Sequence, residues 1–282
     1  MSTEENKAPR RLPRLMRRVM LPVVGVLVGA LLIGLLVWGR PFWMPKPKID
    51  RVDIPAGEFL MGSDPKMDAN AQVNEQPQYK VYLDAYQIGK YEVTNVQYAQ
   101  CVRATICKEP DNKARYLDSR YANHPVGGVT WSEARTFCQW VGGDLPTEAQ
   151  WEKAARGSDG RIYPWGNDPL TCERAQYILC RPMNSAPAGQ HSPAGDSPYG
   201  VADMAGNVWE WTSSLYKGYP YRADDGREDM SSSDYRVLHG GSFINPEDAA
   251  RAANRVYSAP DDVWDVDGFR CGWGVAFPIS LK

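Results

Sequence analysis

The stretch GGSFINPEDAARAANR, at 240–255, contains no cysteine, although the chain carries six elsewhere. Histidine is scarcer still: three in 282 residues, with no i, i+4 pair and no adjacent cysteine, so no zinc site is indicated. Excess positive charge is also lacking. A formal net charge of -2 and a pI near 6.0 leave no basic footprint, and the basic residues gather at the N-terminal end, which excludes nucleic acid as a partner. Between 50 and 282 there is no internal repeat and no low-complexity run, so a solenoid is excluded and one large domain is favoured.

What is present begins with a long apolar run. From Val19 to Trp38 the chain reads VMLPVVGVLVGALLIGLLVW without a charge. At about 1.5 Å per helical residue this is long enough to cross a hydrocarbon core of roughly 30 Å. Lys7, Arg10, Arg11, Arg14, Arg17 and Arg18 precede it, so the positive-inside bias makes 1–18 a cytoplasmic basic N-terminus, 19–39 a single transmembrane anchor, and everything beyond it periplasmic or extracellular. A cleaved signal peptide competes with this reading, but the run is too long for an ordinary apolar region and no small-x-small cleavage site follows. Residues 40–50 form a juxtamembrane linker stiffened by proline, and 51–282 form the working domain.

Six cysteines in such a compartment are expected to form three disulfides, although spacing alone does not choose the pairs. With 10 tryptophans, 15 tyrosines, 25 glycines and 22 prolines, the domain should be loop-rich with aromatic plugs. RVDIPAGEFLMGS and YKVYLDAYQIGKYEVT alternate as strands of one antiparallel sheet. Helices are expected after Thr94, after Thr130 or Ser132, and after Thr147, the last ending at Gly157; Gly142 and Gly143 end the second. Beyond Gly157, frequent Gly, Pro, Asn and Asp leave room only for short strands.

IPAGEFLMGS, YEVTNVQY, HPVGGVTWSEARTFCQWVGGDLPTEAQWEKAARG, YPWGN, YGVADMAGNVWEWT, HGGSF and DGFRC occur in the order seen in the formylglycine-generating enzyme, or sulfatase-modifying factor, family. The chain resembles that family over essentially all of 51–277. The resemblance implies an α+β fold of C-type-lectin-like type, poor in regular structure, here preceded by one transmembrane helix. In catalytic members two cysteines five residues apart follow the GGS turn, bind copper(I) and oxidise a substrate cysteine to formylglycine. Carried over, those positions fall on Asn245 and Ala250. Copper(I) requires soft thiolates, which these residues do not supply, so copper and the family's oxidation are not expected.

The resemblance further implies that Cys138 pairs with Cys271, a closure contributing about 4–5 kcal/mol in the chain-entropy treatment. Proximity leaves Cys101 with Cys107 and Cys172 with Cys180. MAGNVWEWT resembles the family's calcium segment, implying structural Ca2+ at Asn207, the Val208 backbone and Glu210, where hard oxygen ligands suit the ion. The bland alternative has Asn207 capping a turn and Glu210 merely hydrogen-bonded. A second family calcium segment begins with an Ala-Asn pair, where this chain has Ala175 and Gln176.

The family's substrate groove points to 244–267, where Glu247, Asp248, Asp261, Asp262, Asp265 and Asp267 surround Trp264. Such a surface suits a basic or sugar-like ligand or a protein partner; the bland reading is a solvated acidic loop. Expected groove residues are His239, Asn245, Asp248, Arg251, Arg255 and Trp264. A histidine so placed is more often a satisfied structural side chain, and Arg251 and Arg255 could pair with the nearby acids on a short helix. The leading expectation is a membrane-anchored, non-catalytic module that binds a ligand or a protein partner at the membrane. The alternative is an oxidoreductase working without the cysteine pair.

Overall fold

The structure, a computed structural model, describes residues 45–222 and 224–274. The expected N-terminus 1–18, anchor 19–39 and linker residues 40–44 lie outside the described residues. Among those that are described, no helix is long and apolar enough to cross a membrane.

The alternating N-terminal segments form β1 (Arg51–Ile54), β2 (Gly57–Met61), β3 (Tyr79–Leu83) and β4 (Tyr86–Gly89). They do not share one sheet, as the alternation suggested. β1 pairs antiparallel with β4, whose other edge takes β9 (Gly272–Trp273), whereas β2 pairs only with β3. Asp84 and Ala85 interrupt the run between β3 and β4, and a period-2 pattern carries no information about which strand is the neighbour.

The three helices start where their caps dictate. α1 (Asn95–Arg103), α3 (Trp131–Trp140) and α4 (Glu148–Arg156) are capped by Thr94, Thr130 and Thr147, and each cap is completed by a capping box with Gln97, Glu133 or Gln150. Thr130 rather than Ser132 is therefore the cap of α3. α2 (Lys113–Tyr116) is a single turn. Gly157, with φ 71°, closes α4 in a conformation that an L side chain rarely adopts.

β5 (Trp209–Leu215), seven residues and wholly buried, is longer than the glycine- and proline-rich context led us to expect. It sits in a four-stranded sheet of order β7-β6-β5-β8, with β6 (Arg236–His239), β7 (Arg255–Ser258) and β8 (Asp267–Gly268). Two apolar cores flank it. One joins Tyr98, Phe137, Trp211, Leu238 and Phe269; the other joins Phe59, Ile88, Trp151 and Ala154. Sparse regular structure is thus offset by aromatic packing, with Phe137 stacked on Tyr98 at 5.7 Å and edge-on to Phe269 at 5.6 Å.

Helix α4 is buried along its entire length, including Glu148, Glu152, Lys153 and Arg156. Buried charge is costly unless paired, and each has a partner. Arg156 meets Glu152 at 2.8 Å, and Lys153 donates to the carbonyls of Pro55 and Gly57. Glu148 is ion-paired with Arg255 Nε at 2.5 Å, accepts from Arg255 Nη2 at 3.2 Å, and lies 3.7 Å from Arg227 and 3.6 Å from His239 Nε2. Burial alone pushes the Glu148 carboxyl up, but Arg255, His239 and Arg227 outweigh it and hold the group at about 2.

The structure pairs Cys138 with Cys271, Cys101 with Cys107 and Cys172 with Cys180. The first ties α3 to the residue before β9 across a sequence separation of 133; the other two close separations of 6 and 8. Loop-closure entropy then predicts that replacing Cys138 and Cys271 together with alanine lowers unfolding free energy by about 5 kcal/mol, and Cys172 with Cys180 by about 2.5 kcal/mol. Urea denaturation of both double variants checks the ranking; equal losses would contradict it.

Since the folded-state value of Glu148 lies below the unfolded value of about 4.3, its contribution is present above that pH and is lost as pH falls toward 2. Glu148→Gln should cost about 3 kcal/mol at neutral pH and flatten this acid limb. Thermal unfolding of both proteins between pH 7 and pH 2 measures it. An unchanged acid limb would assign the slope to other carboxylates.

Candidate functional site

The GGS turn governs the local geometry. Gly240 and Gly241 have φ of 98° and 76°, and a Cβ on Gly241 would stand 2.9 Å from the Ala249 carbonyl oxygen. Glycine therefore lets the chain fold back so that the 3-10 turn Glu247–Ala250 comes against the Gly241 backbone. The turn is fixed to the preceding segment by Gly206 N–H to the Gly240 carbonyl at 2.7 Å and Phe243 N–H to the Asn207 carbonyl at 2.9 Å.

Between this lip and the 3-10 turn Val73–Glu75 lies a groove of 620 Å³. Asn245, Pro246, Asp248 and Ala249 form one side, Gln72, Val73 and Asn74 the other, and Trp209, Asn254, Arg255 and Val256 complete the lining. Asn245 Oδ1 accepts from Trp209 Nε1 at 3.0 Å and from the Ser242 hydroxyl. Ala250 is turned inward, 1% exposed, among Tyr163, Tyr177 and Cys180. All six cysteines are in disulfides. The donors at positions 245 and 250 are thus an amide and a methyl group, which do not fit copper(I).

Of the expected groove residues, Asn245, Asp248 and Arg255 line it and three do not. His239 is fully buried, stacked on Trp151 at 4.8 Å, because its strand position faces the interior beside Glu148. Arg251, 1% exposed, is drawn inward by Asp68 at 2.8 Å and Glu75 at 2.7 Å. Trp264 is 60% exposed but sits on a separate loop, where its carbonyl accepts from Gly128 N–H and Asp267 N–H. Even Arg255 offers the groove no free charge: its guanidinium is held by Glu148 and covers the Tyr216 and Tyr219 rings at 4.5 and 4.4 Å. Neither arginine pairs with the acids of 247–267, as their sequence proximity suggested.

The expected calcium ligands are engaged elsewhere. Glu210 accepts from Arg270 Nε and Nη2 at 2.6 Å each and from Trp151 Nε1 at 2.8 Å. Asn207 Oδ1 accepts from Ala186 N–H at 2.8 Å, and its Nδ2 donates to Glu92 at 2.9 Å. A guanidinium occupies the Glu210 carboxylate, so as arranged the Asn207 and Glu210 side chains do not fit Ca2+. Gln176, too, spends its amide on the carbonyls of Pro182 and Asn184. No group of three His, Cys, Asp or Glu side chains able to hold a metal occurs among the described residues.

Sequence reading missed Val73, Asn74, Trp209, Asn254 and Val256 as groove residues. The first two stand some 170 positions from the lip, and Trp209 read as core. Asn74 Nδ2 donates to the Arg255 carbonyl at 3.0 Å, which sutures the two sides. Chemically the groove offers amides, one carboxylate and apolar walls, groups able to bind a ligand.

Comparison with known proteins agrees with this fold. Residues 43–274 match the sulfatase-modifying factor enzyme 1-like domain. The chain is 34% identical over 250 residues to serine/threonine-protein kinase pkn1 of Chlamydia caviae, covering 80% of this chain but only 38% of that protein. It is 30% identical over 286 residues to inactive C-alpha-formylglycine-generating enzyme 2 of Bos taurus, covering 82% of this chain and 90% of that one. PvdO from Pseudomonas aeruginosa shares the fold, with a TM-score of 0.64 at 23% identity, covering 80% of this chain and 94% of that one. The chain therefore belongs to the family defined by the sulfatase-modifying factor enzyme 1-like domain.

Proposed function

We propose that this protein is a membrane-anchored, extracytoplasmic member of the family that binds a partner protein in the 245–256 groove and does not make formylglycine. The observation that carries the reading is the pair Asn245 and Ala250, in the places where the family likeness puts the copper-binding cysteines, beside a groove that is otherwise fully built. Likeness to an inactive formylglycine-generating enzyme over most of that protein's length supports it. The anchor, residues 19–39, holds the N-terminus in the cytoplasm and presents the domain on the far side, where the three disulfides persist.

Two measurements on the full-length protein in membranes test this. Mass spectrometry of a cysteine-containing sulfatase-type peptide, incubated with copper and oxygen, should show no conversion beside a working two-cysteine enzyme. A photo-crosslinking residue at Val73, 87% exposed, should trap one discrete membrane-associated protein, and Pro246→Trp, which fills the groove from an exposed position, should abolish the crosslink. Conversion of the peptide would establish the oxidoreductase alternative, and a crosslink indifferent to Pro246→Trp would remove the groove from the account.

A further inference from the structure

Two acceptors belonging to groove residues, the Asp248 carboxylate and Asn254 Oδ1, have no donor among the described residues. Asp248 lines the groove, and its carboxylate has neither an ion pair nor a hydrogen bond among the described residues. Asn254, 8% exposed, lines it as well. Its Nδ2 donates to Glu75 at 3.2 Å, which fixes the amide orientation because a carboxylate only accepts. Asn254 Oδ1 is thereby committed as an acceptor, and it has no donor. A buried acceptor without a donor is costly, so a ligand that donates to it recovers that loss.

Arg255, the cation in the lining, is cancelled by Glu148 at 2.5 Å, and Arg251 behind it is cancelled by Glu75 and Asp68. Exposed Glu247 next to Asp248 has no ion pair among the described residues, so the lip is net negative. Val73, Pro246, Ala249 and Val256 give the groove apolar walls, beside the amides of Gln72, Asn74 and Asn245. A groove that combines unpaired acceptors with aliphatic walls complements a flexible methylene stem ending in three rotatable N–H donors. A planar guanidinium is a poorer match, since its fork calls for a bidentate carboxylate and the site presents one carboxylate and one amide carbonyl.

We infer that the 620 Å³ groove holds a primary ammonium group, delivered as a lysine side chain on an extended segment of the partner protein. This rests on the partner-binding reading above and adds its chemistry.

The test is calorimetric titration of the full-length protein in detergent with acetyl-Ala-Val-Lys-Val-Ala-amide, the same peptide with norleucine for lysine, and butylamine. The lysine peptide should bind about tenfold or more tighter than the norleucine peptide. The preference should vanish in Asp248→Asn, whose site is partly exposed and outside the core, and should weaken in 1 M salt. Equal affinities, or a preference that survives Asp248→Asn, would overturn the assignment. Butylamine binding as tightly as the peptide would overturn the protein source and leave a small amine. If no peptide binds while Pro246→Trp still abolishes the crosslink from Val73, the ammonium assignment falls and the partner groove stands; if the crosslink is also indifferent, both fall.

Discussion

A buried arginine must find a carboxylate, and much of this domain is arranged around that requirement. Arg251, Arg255 and Arg270 are all at most 2% exposed, and each is answered by an acid far away in sequence: Glu75, Glu148 and Glu210. Removing one partner of such a pair strands a charge in a low-dielectric interior, at a cost of about 3–5 kcal/mol. In a fold with few long helices or strands, these pairs specify which loops meet. They accomplish what ladder hydrogen bonds accomplish in a more regular protein.

The Arg270–Glu210 pair also competes with any metal ion for the Glu210 carboxylate. The same carboxylate that would ligate calcium is the acceptor for a guanidinium and an indole, and the amide oxygen of Asn207 is taken by a backbone N–H. Internal positive charge does the electrostatic work that a bound ion would do. Glu92 and Asp203 sit in the same neighbourhood, and burial first, then mutual repulsion for Glu92, pushes both carboxyls above their ordinary range. Additional negative charge there is discouraged unless protonated.

What the sequence made legible was local. Caps at Thr94 and Thr147 were legible because the donors they satisfy lie three residues away, Thr130 was legible only beside its rival Ser132, and Gly157 marked a helix end as the residue type that tolerates the φ of 71° found there. The family likeness located the GGS turn and the Cys138–Cys271 closure. Partner choice was not legible: the split of β1–β4 between two sheets and the far wall of the groove at Val73 and Asn74 depend on contacts between distant segments. His239, Arg251 and Arg255 were assigned to the groove from their sequence neighbourhood, but paired carboxylates and the strand's inward face decide their orientation. Asn254 was invisible for the same reason, since its role arises only once Glu75 has claimed its amide nitrogen.

The distance between the groove's two sides is set from behind. Arg251 clasps Glu75, and Asn74 clasps the Arg255 backbone, so the spacing is maintained by interior and main-chain atoms rather than by the rim. Rim positions such as Val73, Pro246 and Asp248 are thereby released from any duty to the scaffold. A lineage can exchange them freely and obtain a different preference on an unmoved frame, much as a lock keeps its housing when its pins are recut.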